Sequence, residues 1–417
     1  MHRTRIAIIG GGAAGFFAAI TCAESAPDCE VVILEAGEKP LAKVLVSGGG
    51  RCNLTNNCPD TSELVRNYPR GAKELRGAFS RFNVQDTIEW FEERGVKLKT
   101  EADGRMFPTT DDSATIAGCL TREAERAGVR LWTAARVRSI KHETVPEPEF
   151  ILKLGNGQEE RFSRVVVASG GGKTGFELAQ MLGHTIIAPV PSLFTFAIVN
   201  KRLDGLSGLS FPKVDLQLGT LSGRKFSQTG PLLITHWGLS GPAVIKLSAW
   251  AARGLHVEGY QSKLRINFIS GCRSDEVVDL LKKQKLSSPR KELRTVLPLG
   301  LPFELPRRYW LRLLDVLELP DRLVWAEVPD KQLKKLAQEM TEAEFQLQGK
   351  GVFKEEFVTC GGVMLKEVDF RKMESKLCPG LYFAGEVLDI DGVTGGFNFQ
   401  AAWTTGYIVG TSAANGK

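Results

Sequence analysis

The sequence predicts an α/β fold, a parallel sheet flanked by helices, whose first and last segments form one domain around a β-rich insertion and a helical subdomain. Three observations predict it. A short apolar run, Arg5, Ile6, Ala7, Ile8, Ile9, opens into Gly10, Gly12 and Gly15 at G-x-G-x-x-G spacing. A second apolar run, Leu381, Tyr382, Phe383, Ala384, lies near the far end of the 417 residues and leads to another glycine turn at Gly395 and Gly396. Between them, from about residue 189, strand-like pieces and then leucine-rich helical pieces replace the α/β pattern.

The first turn has the physical requirements of a Rossmann-type dinucleotide site. Gly10 allows a tight strand-to-helix turn, Gly12 lets backbone N–H groups approach a phosphate, and Gly15 lets the helix lie close to the strand. The helix N-terminus, with Ala13 and Ala14 in its first turn, then faces a pyrophosphate. An acidic residue about 20 positions later should end the next strand and accept from a ribose. Glu35, followed by Ala36, ends Val31, Val32, Ile33, Leu34. An acid here argues against a 2′-phosphate. A glycine turn alone also fits an ordinary surface loop, but strand, turn, apolar helix, second strand and acid in register argue for the nucleotide.

Residues 36–56 read as a loop of small residues that contains Lys43, Ser47, Gly48, Gly49, Gly50, Arg51, Cys52 and Asn53. Three consecutive glycines cannot pack a core, yet they let main chain lie against a flat ring; a flexible surface loop is the competing reading. Helices are expected over 84–95 and 113–127, strands over 129–140 and 150–154, and a polar join with Pro146 and Pro148 between them. Val165, Val166, Val167, Ala168 form a buried parallel strand that ends at Ser169 and Gly170, with a helix to follow over 175–182. Strand-like pieces at 194–199, 214–218 and 264–269 are separated by Gly/Pro/Ser turns. Over 274–345, Leu280, Leu281, Leu313, Leu314, Leu317, Leu333 and Leu336 recur at helical spacing, as core residues do. The expected division is 1–188 with 352–417 for the nucleotide domain, 189–273 with 338–351 for the β-rich insertion, and 274–337 for the helical subdomain.

Composition narrows the class. Hydrophobic residues make 43% of the chain and charged ones 24%, as in ordinary globular proteins. The formal charge of +6 is modest, and basic residues of the helical part alternate with Asp275, Glu276, Asp279, Asp315 and Glu318, so no nucleic-acid partner is expected. Residues 1–3 leave no room for a leader ahead of the first strand, and no apolar stretch approaches the roughly 18 residues of a membrane span. A cytoplasmic protein without a membrane partner is the expectation. The eight cysteines contain no C-x-x-C pair, so reduced thiols are expected and no metal site.

The C-terminal segment specifies the dinucleotide as FAD. A flavin needs a strand-end acid for its ribityl or phosphate-linked hydroxyls, here Glu386 after Gly385, and a positive field where reduction places negative charge. The helix start at Gly396, Phe397 and Asn398 can supply that field through free N–H groups.

GGGAAG, VSGGGRCNLTN, THWGLSGPAVIKLS, TCGGV and AGEVLDIDGVTGGFNFQAAWTTG resemble, nearly end to end, the signatures of the BaiN-like (YhiN-like, aminoacetone-oxidase-like) flavoproteins of the glutathione-reductase-like superfamily. The resemblance implies non-covalent FAD in a Rossmann-type domain with the two insertions. By motif it implies Gly10, Gly12, Ala13, Ala14 and Gly15 at the pyrophosphate, Glu35 and Ala36 at the adenosine ribose, and Val137 near the adenine. It implies Lys43, Ser47, Gly48, Gly49, Arg51 and Cys52 along the flavin, Ser169 and Gly170 at the nucleotide, and Gly385, Glu386, Asp391, Gly395, Gly396, Phe397, Asn398 and Phe399 at the ribityl and pyrimidine end. The loop after Gly170 and Gly171 is shorter than in such relatives.

Candidates for substrate chemistry are four. His236 can exchange a proton near neutral pH and Trp237 can stack on a planar ring, although a hydrogen-bonded structural His in a tight β-turn is the somewhat stronger reading. Cys52 is a candidate redox thiol, with no partner at disulfide-reductase spacing, and Arg51 a candidate anchor for an anion. The activity expected is that of an FAD-dependent oxidoreductase acting on a small organic molecule, with NADH or NADPH as electron donor. Reduction of a conjugated C=C bond is placed ahead of an amine oxidase of the aminoacetone-oxidase type. A non-catalytic FAD-binding sensor that engages a partner, and an RNA-modifying flavoenzyme, are the alternatives.

Overall fold

The computed structural model describes residues 4–144, 149–220, 223–351 and 358–415. Residues 1–3, the join with Pro146 and Pro148, and positions 352–357 of the resumed nucleotide domain lie outside the described residues. The chain divides into two compact units: Met1–Val190 with Val358–Lys417, and Pro191–Phe357.

The first unit is built on a seven-stranded sheet. Its strands are β1 (Arg5–Ile9), β2 (Glu30–Leu34), β3 (Arg130–Trp132), β4 (Arg164–Val167), β5 (Val368–Asp369), β6 (Glu374–Ser375) and β7 (Leu381–Phe383), in the order β5-β6-β7-β4-β1-β2-β3. β7, β4, β1, β2 and β3 are mutually parallel, with Ile8 opposite Val166 and Ile33, and Val166 opposite Tyr382. Sheets covered on both faces select such unbroken apolar strands. Helix α1 (Ala13–Ser25) follows β1, and helix α2 (Phe397–Asn415) closes the chain. The two helices lie in close contact because α2 presents glycine where they meet. A Cβ on Gly406 would stand 2.8 Å from the Ala14 carbonyl oxygen, and one on Gly410 2.6 Å from Thr21 Cβ. The first and last segments of the sequence are thereby packed side by side.

The expected elements are present with shifted ends: helices Val84–Glu93, Ala114–Arg126 and Lys173–Met181, and strands Val137–Glu143 and Glu149–Leu154. One expectation is overturned. The stretch read as a loop after Glu35 contains a helical segment from Ala42, which breaks at Ser47 (φ −68°, ψ 153°) and passes through left-handed Gly48, Gly49 and Gly50. Ala42, Lys43 and Leu45 supply good helix formers before the glycines end it.

The second unit holds a seven-stranded sheet that includes a long hairpin of Ser210–Gly219 and Lys225–Thr235. Helix Pro242–Val257 packs on it, with Pro at its first position where no N–H is needed. A single buried apolar cluster runs from Phe196 to Leu347, taking in Leu281, Leu313, Leu314, Leu333 and Leu336, with Trp310 and Trp325 stacked 6.1 Å apart. The expected strand at 194–199 is reduced to Phe196–Ala197.

Candidate cofactor site

The N-terminal turn is shaped by main chain. Gly10 has φ +113°, and a Cβ there would meet the Ala168 carbonyl oxygen at 2.5 Å. A Cβ on Gly15 would lie 1.9 Å from the Gly10 oxygen, so neither position accepts a side chain. Gly12, the residue before α1, has open space around the same point, and no side chain caps the helix. With no side-chain cap, the first-turn N–H groups of this helix have no intrahelical acceptor and remain as donors for an anion.

Glu35 stands at the end of β2. Its carboxylate accepts the Gly11 N–H and the Gly37 N–H, each at 2.7 Å, one on each oxygen. The remaining lone pairs on both oxygens are the ones available to ribose hydroxyls. Ala36 continues the same turn. Val137 is buried at the start of its strand, where it pairs with Leu154. Ser169 follows β4, and its buried Oγ has no hydrogen-bond partner. An orphaned hydroxyl beside the glycine turn is consistent with a site shaped for a polar ligand.

Four segments meet at Glu386. Lys43 Nζ donates to Glu386 Oε2 at 2.8 Å and the Thr359 N–H donates to Oε1 at 3.2 Å, while a Cβ on Gly170 or Gly171 would lie within 4 Å of the carboxylate. Gly385 (φ +74°) sits against Ala14, which brings the start of α1 to the end of β7.

The glycine loop and the start of α2 also lie together. Gly49 and Gly50 have positive φ with nothing where a Cβ would be, leaving an open main-chain surface. Gly396 (φ +95°) is pressed against strand Thr55–Asn56; a Cβ there would be 2.4 Å from Thr55 C and O. Gly395 accepts from Asn56 Nδ2 through its carbonyl at 3.0 Å. The Asn398 side chain closes its own loop, accepting the Gly392 N–H at 2.8 Å and donating to the Gly392 carbonyl at 2.9 Å. The Phe397 carbonyl accepts from Tyr68 Oη at 2.6 Å, and Phe399 stacks on Trp403 at 5.5 Å. Asp391 is fully buried and takes the Arg70 guanidinium on both oxygens.

Two of the four substrate-chemistry candidates are placed in structural roles. Arg51 donates to Glu101 at 2.7 Å and to Asp111 at 3.4 Å, and stacks over Phe107 at 4.0 Å, which fastens the glycine loop to hairpin 98–108. Cys52 is buried, and burial pushes its thiol up to about 12, although Ser47 opposes the shift. The thiolate that redox exchange requires is therefore absent near neutral pH. Ser47 itself donates to the Val44 carbonyl at 2.8 Å. His236 and Trp237 form an exposed turn of the second unit between strands Lys225–Thr235 and Gly238–Ser240.

Sequence reasoning named Asn53 without a role and missed Arg70, Thr55 and Gln400; the side chains of all four bind the expected segments to one another. The paired small residues Gly406 and Gly410, four apart on one helix face, were the available signal for the packing of α1 on α2.

A family model described as the HI0933-like protein Rossmann domain matches residues 4–412. The chain belongs to the HI0933-like family. Within it, the chain is 31% identical over 420 residues to the 3-dehydro-bile acid delta(4,6)-reductase of Clostridium scindens, covering 98% of this chain and 99% of that one. It is also 31% identical over 417 residues to the ribosomal RNA dihydrouridine synthase of Escherichia coli K12, covering 98% and 97%. Among solved structures, the 3-ketosteroid delta1-dehydrogenase of Sterolibacterium denitrificans superposes with a TM-score of 0.51 at 13% identity, covering 99% of both chains. The 3-ketosteroid-delta4-(5alpha)-dehydrogenase of Rhodococcus jostii RHA1 gives 0.50 at 14%, covering 99% and 98%. These two share the fold. The HI0933-like chain is an FAD-dependent oxidoreductase, and its residues fit that cofactor: an uncapped helix start at an open glycine, a strand-end acid, and an open glycine surface beside a second helix start. No helix among the described residues is long and apolar enough to cross a membrane.

Proposed function

We propose that this chain reduces a C=C bond conjugated to a carbonyl, with NADH or NADPH as the source of electrons. The observation that carries the reading is that two relatives of equal identity, each matched over nearly its whole length, are named for different substrates and one kind of bond. A delta(4,6)-reductase and a dihydrouridine synthase both saturate a double bond polarised by a carbonyl. Bound FAD would supply the hydride. The chain's own part would be to hold the ring by main chain, along Gly48, Gly49 and Gly50, and to set the dipole of α2 where negative charge accumulates.

The test is anaerobic mixing of the FAD-loaded protein with each nicotinamide, followed by a conjugated cyclic enone. Bleaching by a nicotinamide and recolouring by the enone supports the reading. Bleaching by a primary amine, with peroxide released in air, would replace it with an amine oxidase.

A second reading, that the reducible ring is a uracil in RNA, has one observation of its own. The unit Pro191–Phe357 holds 25 Lys and Arg against 18 Asp and Glu, a net +7, whereas the rest of the chain holds 29 against 30. Lys282, Lys283, Lys285, Arg290 and Lys291 follow one another with no acid between Asp279 and Glu292. Lys282 pairs with Asp330 and Lys285 donates to the Val328 carbonyl, while Lys283, Arg290 and Lys291 are exposed. RNA binding that weakens steeply with salt would favour this reading, and salt-independent turnover of a small enone would remove it.

A further inference from the structure

The four residues after Cys52 hold the start of α2 almost atom by atom. With its amide turned to the orientation that satisfies both neighbours, Asn53 accepts the Gly396 N–H at 2.9 Å and donates to the Thr55 carbonyl at 3.0 Å. The Leu54 carbonyl accepts from Trp403 Nε1 at 2.9 Å, and Thr55 Oγ1 donates to Gln400 Oε1 at 2.6 Å. Asn56 Nδ2 reaches the Gly395 carbonyl at 3.0 Å. Gln400 takes a second donor from Thr87 at 3.1 Å, and Thr55, Thr87, Gln400 and Trp403 are all fully buried. Loop and helix start, the two elements that would flank the flavin, are one braced body.

We propose that Asn53 is a positioning residue that decides which backbone donors of α2 are left for the cofactor and what charge stands beside them. Asn53 occupies the N–H of Gly396, so the donors remaining in the first turn are those of Phe397, Asn398 and Phe399, which have no intrahelical acceptor. The position needs an amide because one neighbour is a donor and the other an acceptor, and only a side chain with both kinds of atom satisfies the pair. An aspartate has the same shape and can still accept from Gly396. It cannot donate to Thr55, and it sets a full negative charge at a helix start whose positive end would stabilise the reduced ring.

The experiment compares Asn53→Asp with Asn53→Ala, each reconstituted with FAD. The readouts are the two-electron midpoint potential by spectroelectrochemistry, the FAD dissociation constant, and the thermal midpoint of the apoprotein. Both variants lose hydrogen bonds and should melt earlier than wild type. Only N53D carries the charge, so only N53D should shift the potential negative, by about tenfold in the reduction equilibrium, which is about 30 mV for a two-electron couple. N53A should stay within a third of that shift. An N53D protein that refuses FAD while N53A takes it supports the proposal equally, because N53D keeps the bond from Gly396 that N53A loses and fails only where it adds charge. Equal potentials in the two variants, or refusal of FAD by both, would overturn the proposal and reduce Asn53 to a brace.

Discussion

Asp391 was expected at the cofactor, and its place in the structure makes a quantitative alternative testable. Its carboxylate is 0% exposed and takes the Arg70 guanidinium through Nε on Oδ1 and Nη2 on Oδ2. The two residues also form an isolated antiparallel bridge, and a Cβ on the next residue, Gly71, would stand 2.5 Å from Ile390 Cγ1. Segment 70–71 therefore crosses segment 390–391 at van der Waals distance, with the ion pair as its fastening. Removing one member of a buried ion pair costs about 3–5 kcal/mol. Asp391→Ala should then lower the melting temperature by roughly 6–20 °C, at about 2–4 °C per kcal/mol for a domain of this size. The double replacement Arg70→Met with Asp391→Leu removes both charges and should recover most of that loss, since apolar pairs of similar volume often equal a buried ion pair. Differential scanning calorimetry of the apoprotein measures all three. If D391A melts with wild-type apoprotein while its FAD affinity falls tenfold or more, Asp391 is a cofactor ligand and the fastening argument is refuted.

Three further outcomes follow from particular contacts. Gly396→Ala places a methyl 2.4 Å from the Thr55 backbone at φ +95°, and should lose more than about 2 kcal/mol of stability together with the 450 nm flavin band after purification; a yellow, stable G396A protein would contradict it. Cys52, with its thiol pushed up to about 12 by burial, should resist iodoacetamide at pH 8 in the folded protein, and Cys52→Ser should reduce its flavin within twofold of the wild-type rate. His184 accepts from Ser375 Oγ at 2.8 Å on Nε2, because that hydroxyl already accepts the N–H groups of Leu377 and Cys378, and donates from Nδ1 to Glu367 at 3.1 Å. Burial holds the His184 pKa below its ordinary value against the opposing pull of Glu367. The unfolded chain therefore takes up this proton first, so the stability is complete above about pH 6.5 and declines below it, by at most about 1.4 kcal/mol per pH unit. Urea titrations at pH 5 to 8 should show this slope in wild type and a shallower one in His184→Gln; identical slopes would assign the effect elsewhere.

The parts of the fold that were legible are those where one residue type is forced by local geometry. Gly10, Gly15 and Glu35 could be read because a strand-to-helix turn admits few alternatives at those positions. The run Val165, Val166, Val167 declared a strand covered on both faces. What stayed hidden depends on partners far along the chain: Arg70 with Asp391, and Thr55 and Thr87 with Gln400, are separated by more than 300 residues. No local pattern encodes such a pair. The helical turn before Ser47 was obscured by the glycines that end it, and the long strand Lys225–Thr235 by Gly230 and Pro231, which lie where its register is irregular.

The same commitments explain how one framework can serve relatives with unlike substrates. Arg51, Asp391, Asn398 and Gln400 direct their polar atoms at protein partners, and we infer that what the first unit offers a cofactor is mostly backbone: N–H groups at two helix starts and an open glycine surface. Main-chain recognition tolerates wide sequence change so long as the glycines and the braces behind them persist. Recognition by side chains is written in residues free to differ. The excess positive charge lies wholly in Pro191–Phe357, the rest of the chain being balanced at 29 basic and 30 acidic residues. Charge reversal of Lys283, Arg290 and Lys291 together should leave the visible spectrum and the nicotinamide-driven bleaching of the flavin unchanged. If the substrate is RNA, turnover of RNA should fall and its salt dependence should flatten by up to three phosphate contacts. A triple variant that bleaches more slowly with nicotinamide would show that these residues serve the cofactor chemistry, and the division between backbone for the flavin and side chains for the substrate would fail.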